Sequence, residues 1–158
     1  MIQLVQKHLL LLTVLCTSFS CLQWGMAAEP VRVGIVSIDN YQALAFTQVF
    51  HQPPEDNPDV GGLKVIAAWP GGSPDLPQTL KDVERWRGYL EGYGVTMEDS
   101  VQKVLDQVDA VMLMTLDGRV HLEQVRPILA ARKPVYIGRP MAASLADVIE
   151  IFELSEKY

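Results

Sequence analysis

Cysteine is nearly missing from this chain. There are two in 158 residues, Cys16 and Cys21, and both lie close to the start. Everything beyond them is without disulfide or thiol chemistry. Histidine is equally scarce: His8, His51 and His121 are too scattered to suggest a metal site. There is no run of Lys and Arg and no interleaving of aromatic with basic residues. With 13 basic residues against 19 acidic ones, the formal charge is −6 and the isoelectric point is near 5.0. The basic face that a nucleic-acid partner requires is therefore lacking. No Gly-x-Ser-x-Gly, Walker loop or paired-cysteine motif occurs, and neither does an internal repeat or a low-complexity segment.

A bilayer-spanning apolar run is missing as well. Leu9 to Leu15 is apolar but shorter than the about 20 residues a membrane span needs. Lys7 precedes it, and Gly25-Met26-Ala27-Ala28 follows before Glu29. That arrangement predicts a secretory signal over residues 1–28, cleaved after Ala28. An uncleaved anchor is the alternative. Ser18-Phe19-Ser20 ahead of Cys21 makes a poor lipobox. Cleavage removes both cysteines and leaves residues 29–158, one domain of ordinary size. It is expected to be exported, periplasmic or secreted, with no stable membrane span.

What the chain does contain is alternating strand and helix patterns. Val31 to Ile38 alternates and is rich in β-branched residues, so it predicts the first strand. Tyr41 to Phe50 follows as a helix with Leu44, Ala45, Val49 and Phe50 on its stripe. A second strand is expected over Leu63 to Trp69. A polar helix over Thr79 to Glu91 carries Leu80, Val83, Trp86, Arg87 and Leu90 on one stripe. Val95 to Met97 is a brief third strand, and Asp99 or Ser100 caps a short helix. Ala110 to Thr115 and Pro134 to Ile137 read as strands four and five, separated by a helix over Val120 to Arg132. Ser144 with Asp147 forms a capping box for a last helix, with Leu145, Val148, Ile149 and Phe152 inward. Five or more strands alternating with helices predict an α/β fold. Its parallel sheet is doubly wound (Rossmann-like), in order 3-2-1-4-5, with helices on both faces. Ligands of such sheets sit outside the carboxyl ends of the strands where the order reverses. Here that crevice is lined by Ser37 to Gln42 and by Thr115 to His121.

The layout VRVGIV–helix–LKVIAAW–VDAVMLMT–His–KPVYIxxP–helix resembles the N-terminal dinucleotide-binding domain of the Gfo/Idh/MocA oxidoreductases (glucose–fructose oxidoreductase, inositol dehydrogenase and relatives). PGGSPD after strand two and DGRVHLEQ after strand four resemble its exported branch in planctomycete-type bacteria. The resemblance covers about Val31 to Lys157. It implies NAD or NADP as cofactor. It also implies cofactor contacts from Ser37, Ile38, Asp39, Asn40, Gln42, Trp69, Thr115, Leu116, Asp117, His121, Arg139 and Pro140.

Several chemistry-bearing positions depart from the family pattern. The family's Gly-x-Gly-x-x-Gly/Ala loop is replaced by Ser37-Ile38-Asp39-Asn40-Tyr41-Gln42. Glycine there lets the pyrophosphate approach the backbone. Asp39 instead brings a carboxylate, and two unit charges about 4 Å apart repel by on the order of 4 kcal/mol at an effective dielectric near 20. Asp39 is expected to turn away and cap the helix; otherwise the pyrophosphate is not bound in the usual pose. Trp69-Pro70 stands where an acidic residue normally holds the ribose. Trp69 either stacks on adenine or simply packs. Gly138-Arg139-Pro140 stands in place of Glu-Lys-Pro. Arginine keeps its charge, so Arg139 orients an anion rather than exchanging a proton; a plain solvated arginine is the alternative. His121 matches the family's histidine, either as a contact on the nicotinamide side or as an ordinary first-turn residue. No catalytic residue is assigned.

The family's enzymes carry a second α/β domain, which this chain is expected to lack. It therefore reads as a nucleotide-binding domain that is not an active dehydrogenase alone, with the missing domain or a partner chain to complete it. The alternative is a non-catalytic ligand-binding or interaction module on a degenerate Rossmann scaffold. A receiver domain is imitated thinly by Asp39, Thr115 and Arg139, but no acid ends strand three where one is required.

Overall fold

The computed structural model describes residues 29–73 and 75–158. The signal-segment expectation and both cysteines lie outside the described residues. Strands β1 (Val31–Val36), β2 (Leu63–Trp69), β3 (Thr96–Met97), β4 (Ala110–Leu113) and β5 (Val135–Ile137) alternate with helices α1 (Tyr41–His51), α2 (Pro77–Gly92), α3 (Val101–Leu105), α4 (His121–Ala130) and α5 (Leu145–Lys157). Short 3-10 turns cover Pro58–Val60 and Gly118–Val120. The strands form one five-stranded sheet in the order β3-β2-β1-β4-β5, and every pairing is parallel. This is the Rossmann-like doubly wound fold.

The period of two along β1 decides which helix lies on which face. Val33 and Ile35 join Leu44 of α1 and Val83 and Leu90 of α2 in one core layer. Val36 joins Val104 and Leu105 of α3, Val125 and Ile128 of α4, and Ile151 of α5 in the other. Gly34 sits under α3: a Cβ there would collide with Val104 and stand 3.1 Å from Val108. Val33 pairs with Val65 while Gly34 pairs with Ala67, so β2 carries an extra residue, Ile66. That bulge turns both Ile66 and Ala67 toward the α3 layer.

Asn40 caps α1 by accepting from the Gln42 N–H at 2.7 Å. Ser100 caps α3 and Ser144 caps α5, the latter accepting from the Asp147 N–H at 3.1 Å. Three expectations are corrected. β1 stops at Val36 because Ser37 takes a φ of 69°, which no extended strand accommodates. α1 buries Ala43, Leu44 and Thr47 rather than Val49. α5 turns Ile151 inward and leaves Leu145, Ile149 and Phe152 exposed. Apolar residues occupy two stripes of that helix, and it is docking on α4 that selects the one carrying Ile151. Among the described residues no helix is long and apolar enough to cross a membrane.

Candidate functional site

The strand order reverses between β1 and β4, and the carboxyl ends of these strands set the site. β1 leads into Ser37, held in the left-handed region where glycine is at ease. Ser37 thus holds a turn conformation usual for glycine without being one. Its N–H groups are already engaged: Ser37 donates to the Trp69 carbonyl and Ile38 to the Pro70 carbonyl, both at 2.9 Å. Gly71 lies directly on Ser37; a Cβ at Gly71 would stand 2.5 Å from the Ser37 hydroxyl oxygen. Ser37, Ile38 and Asp39 have no exposed surface.

Asp39 is not the helix cap; Asn40 takes that place. The Asp39 carboxylate instead accepts the Leu116 N–H at 3.1 Å, tying the β1 turn to the segment after β4. Burial pushes its carboxyl up from the ordinary value, against hydrogen bonds from Ser37 and Leu116 that pull it down. The Asn40 amide donates to the Met114 carbonyl, a second tie between the same segments. His121 lies beneath them, fully buried. Its Nδ1 is 3.0 Å from the Met141 carbonyl and its Nε2 is 2.7 Å from the Thr115 carbonyl. The Thr115 hydroxyl donates to Gln124 at 2.5 Å.

Beyond Leu116 the chain builds an ionic cluster. Asp117 Oδ1 accepts from the Arg119 N–H at 3.0 Å, and Oδ2 accepts from the Ser73 hydroxyl at 2.8 Å. The Arg119 guanidinium reaches Asp117 at 2.6 Å and Asp75 at 2.9 Å. Arg119 holds the Asp117 carboxyl well below the usual carboxylate range, and the two acids in turn raise the guanidinium.

The expected site residues therefore fall into three groups. Asn40, Gln42, Leu116, Arg139 and Pro140, with Tyr41, line an open cavity of about 560 Å³. Trp69 and Asp117, with Gly72, Ser73, Asp75 and Arg119, line a second one of about 400 Å³. Ser37, Ile38, Asp39, Thr115 and His121 lie buried beneath both. Ser73 and Gln124 were not among the expected residues, and Arg119 was expected in the crevice lining but not as a cofactor contact. Asp117 and Arg119 could have been paired from their spacing, but Ser73 meets Asp117 across 44 positions, which leaves no local signature. Among the described residues no three His, Cys, Asp or Glu converge on a metal position.

The β1 turn as it stands does not fit a pyrophosphate. Its N–H groups point to carbonyls of the β2 loop, and a carboxylate lies buried behind it. Of the polar residues lining the larger cavity, Asn40 has its amide engaged with the Gln42 N–H and the Met114 carbonyl, which leaves Tyr41, Gln42 and Arg139 to meet a ligand there.

Strand order and parallel pairing define the doubly wound, Rossmann-like class of α/β domain. No protein-family model and no curated protein matches the chain. Solved structures do. A Synechocystis biliverdin reductase in complex with biliverdin and NADP+ aligns with a TM-score of 0.61 at 22% identity, over 81% of this chain and 35% of its own. A myo-inositol 2-dehydrogenase from Lactobacillus plantarum aligns at 0.57 and 18% identity, over 81% of this chain and 33% of its own. A UDP-N-acetylglucosamine 3-dehydrogenase from Acidithiobacillus ferrooxidans gives 0.60 at 13%, over 80% and 35%. The inositol dehydrogenase is a namesake of the family that the sequence resembles. At these identities the likeness is one of fold, and the chain spans about a third of the length of each structure.

Proposed function

We propose that this chain is an NAD(P)-binding domain of Gfo/Idh/MocA type that does not transfer hydride by itself. The observation that carries the reading is the crevice at the β1/β4 reversal. It opens between the start of α1 and Arg139, in a fold shared with structures solved with NADP+. Hydride transfer also needs a substrate held at near-attack distance. In the family that role falls to a further domain, which a longer chain or a partner would supply. Arg139, at the position of the family's lysine, is suited to meet an anion and not to exchange a proton. Calorimetric titration of the purified chain with NAD+, NADH, NADP+ and NADPH tests this. Saturable binding of at least one is expected, weakened about tenfold in Arg139→Ala, the scale of a hydrogen bond to a charged group. Silence from all four up to millimolar concentration would instead favour a non-catalytic interaction module, a reading supported by the buried Asp39 and the engaged β1 turn.

The composition of residues 1–28 supports export to a periplasmic or extracellular space. N-terminal sequencing of the protein recovered from an exporting host is expected to begin at Glu29. An intact Met1 in the recovered protein would count against cleavage.

A further inference from the structure

One segment crosses the crevice and divides it. Residues 70–73 leave β2, pass over the end of β1 and reach the loop after β4. Pro70 accepts the Ile38 N–H at 2.9 Å. Gly71 rests on Ser37, in a space no side chain could enter. The Ser73 hydroxyl closes the far side on Asp117 at 2.8 Å, and Asp75 adds its pair to Arg119 at 2.9 Å. Leu116 lines one cavity and Asp117, the next residue, lines the other. The two cavities are thus halves of one crevice, separated where this strap meets the β4 loop.

We propose that residues 70–73 are a gate over the β1 turn, latched by Ser73 on Asp117 and by Asp75 on Arg119. The inference rests on the nucleotide-binding reading above and accounts for one part of the misfit of the closed turn to a pyrophosphate, the engaged Ile38 N–H. Lifting the strap frees the Ile38 N–H and uncovers Ser37. Both joints are built for movement: Gly71 and Gly72 take φ values of 65° and 96°, which glycine enters without steric cost. The strap stays joined to β2 at Trp69, so the motion is local and not an unfolding. The latch competes with ligand binding, because a nucleotide binds only the open form and its apparent affinity is reduced by the fraction that is closed.

The test uses the full chain carrying Ser73→Ala with Asp75→Ala, which leaves Arg119 paired to Asp117. Two readouts are compared with wild type: hydrogen exchange at the Ile38 amide, which needs no ligand, and titration with NADH and NADPH. Exchange at Ile38 faster by about tenfold, with nucleotide affinity rising by a similar factor (about 1.4 kcal/mol), is the expected result. Exchange or affinity unchanged, in a wild type that binds, overturns the gate and leaves the nucleotide reading standing. Faster exchange with no binding by either protein overturns both. Asp75→Ala alone, at an exposed residue, must move exchange in the same direction if the pair does not fold.

Discussion

At the scale of single residues, the β1 turn shows a serine held in a backbone conformation that glycine usually takes. Holding a non-glycine residue in the left-handed region costs on the order of 1 to 2 kcal/mol. Ser37 bears that cost because Trp69, Pro70 and Gly71 enclose it. Replacing Ser37 by glycine removes the strain but adds about 0.5 to 1 kcal/mol of unfolded-chain entropy. Ser37→Gly is therefore expected to change unfolding free energy by less than about 1 kcal/mol, whereas the β-branched Ser37→Val should cost about 2 kcal/mol or more. Denaturant unfolding of both variants decides this; a glycine variant less stable than the valine one would refute the strain. The absence of glycine from this loop could be read in the sequence. The left-handed turn could not, because its φ is imposed by a strap more than thirty positions away (Ser37 meets Pro70). Asp39 is a similar case. A carboxylate beside a helix start reads as a cap, yet its partner is the Leu116 N–H, 77 residues downstream.

Secondary-structure elements were easier to read where their pattern admitted one answer. β1 carries a single alternation, so its two faces, its neighbours and its place at the centre of the sheet followed from period and chain order. Even β3, two residues long, lay where it was expected. α5 admits two answers. Leu145, Ile149 and Phe152 make one stripe at helical spacing; Val148, Ile151 and Leu154 make another on the same 3.6 period. Only packing against α4 separates them, and it buries Ile151 to 3% exposure while Leu145 stays 75% exposed. The caps of α3 and α5 depend on neighbours three residues away and so were within reach of the sequence, whereas the cap of α1 falls on Asn40 and not on the expected Asp39. The crevice was legible as a location for the same reason as β1: it follows from strand order. Its partition into two cavities was not, since it depends on contacts between loops.

Across the whole molecule, ionisable groups of opposite tendency fasten the ends of the sheet, and this sets how stability responds to acid. At the amino ends of β1 and β4, Arg32 grips Asp109 at 2.6 Å and holds its carboxyl well below the usual range. At the carboxyl ends Arg119 does the same to Asp117. A carboxylate whose folded pKa lies below the unfolded value of about 3.9 contributes stability that is complete above that value and lost as pH falls through the acid range. His51 adds to the loss. Burial lowers its pKa from the ordinary value near 6.5, so protonation favours the unfolded chain as pH drops below that point. Asp39 works in the other direction: its pKa is raised by burial, so the penalty on its ionised form is relieved as pH falls. Between pH 7 and about pH 5 only His51 and Asp39 change, in opposite senses; below about pH 5 the Asp109 and Asp117 carboxylates add their losses, so the melting temperature is expected to fall most steeply between pH 5 and pH 3. Substitutions separate the contributions. Asp109→Asn should lower the melting temperature at pH 7 and lose less of it on acidification, because the ionised partner of Arg32 is gone from the start. Asp39→Asn keeps an acceptor for the Leu116 N–H while removing the buried charge, so it should melt no lower than wild type at pH 7 and show a steeper acid decline. An Asp39→Asn variant that melts well below wild type at neutral pH would mean that the buried carboxylate fastens the two halves of the crevice more strongly than burial penalises it.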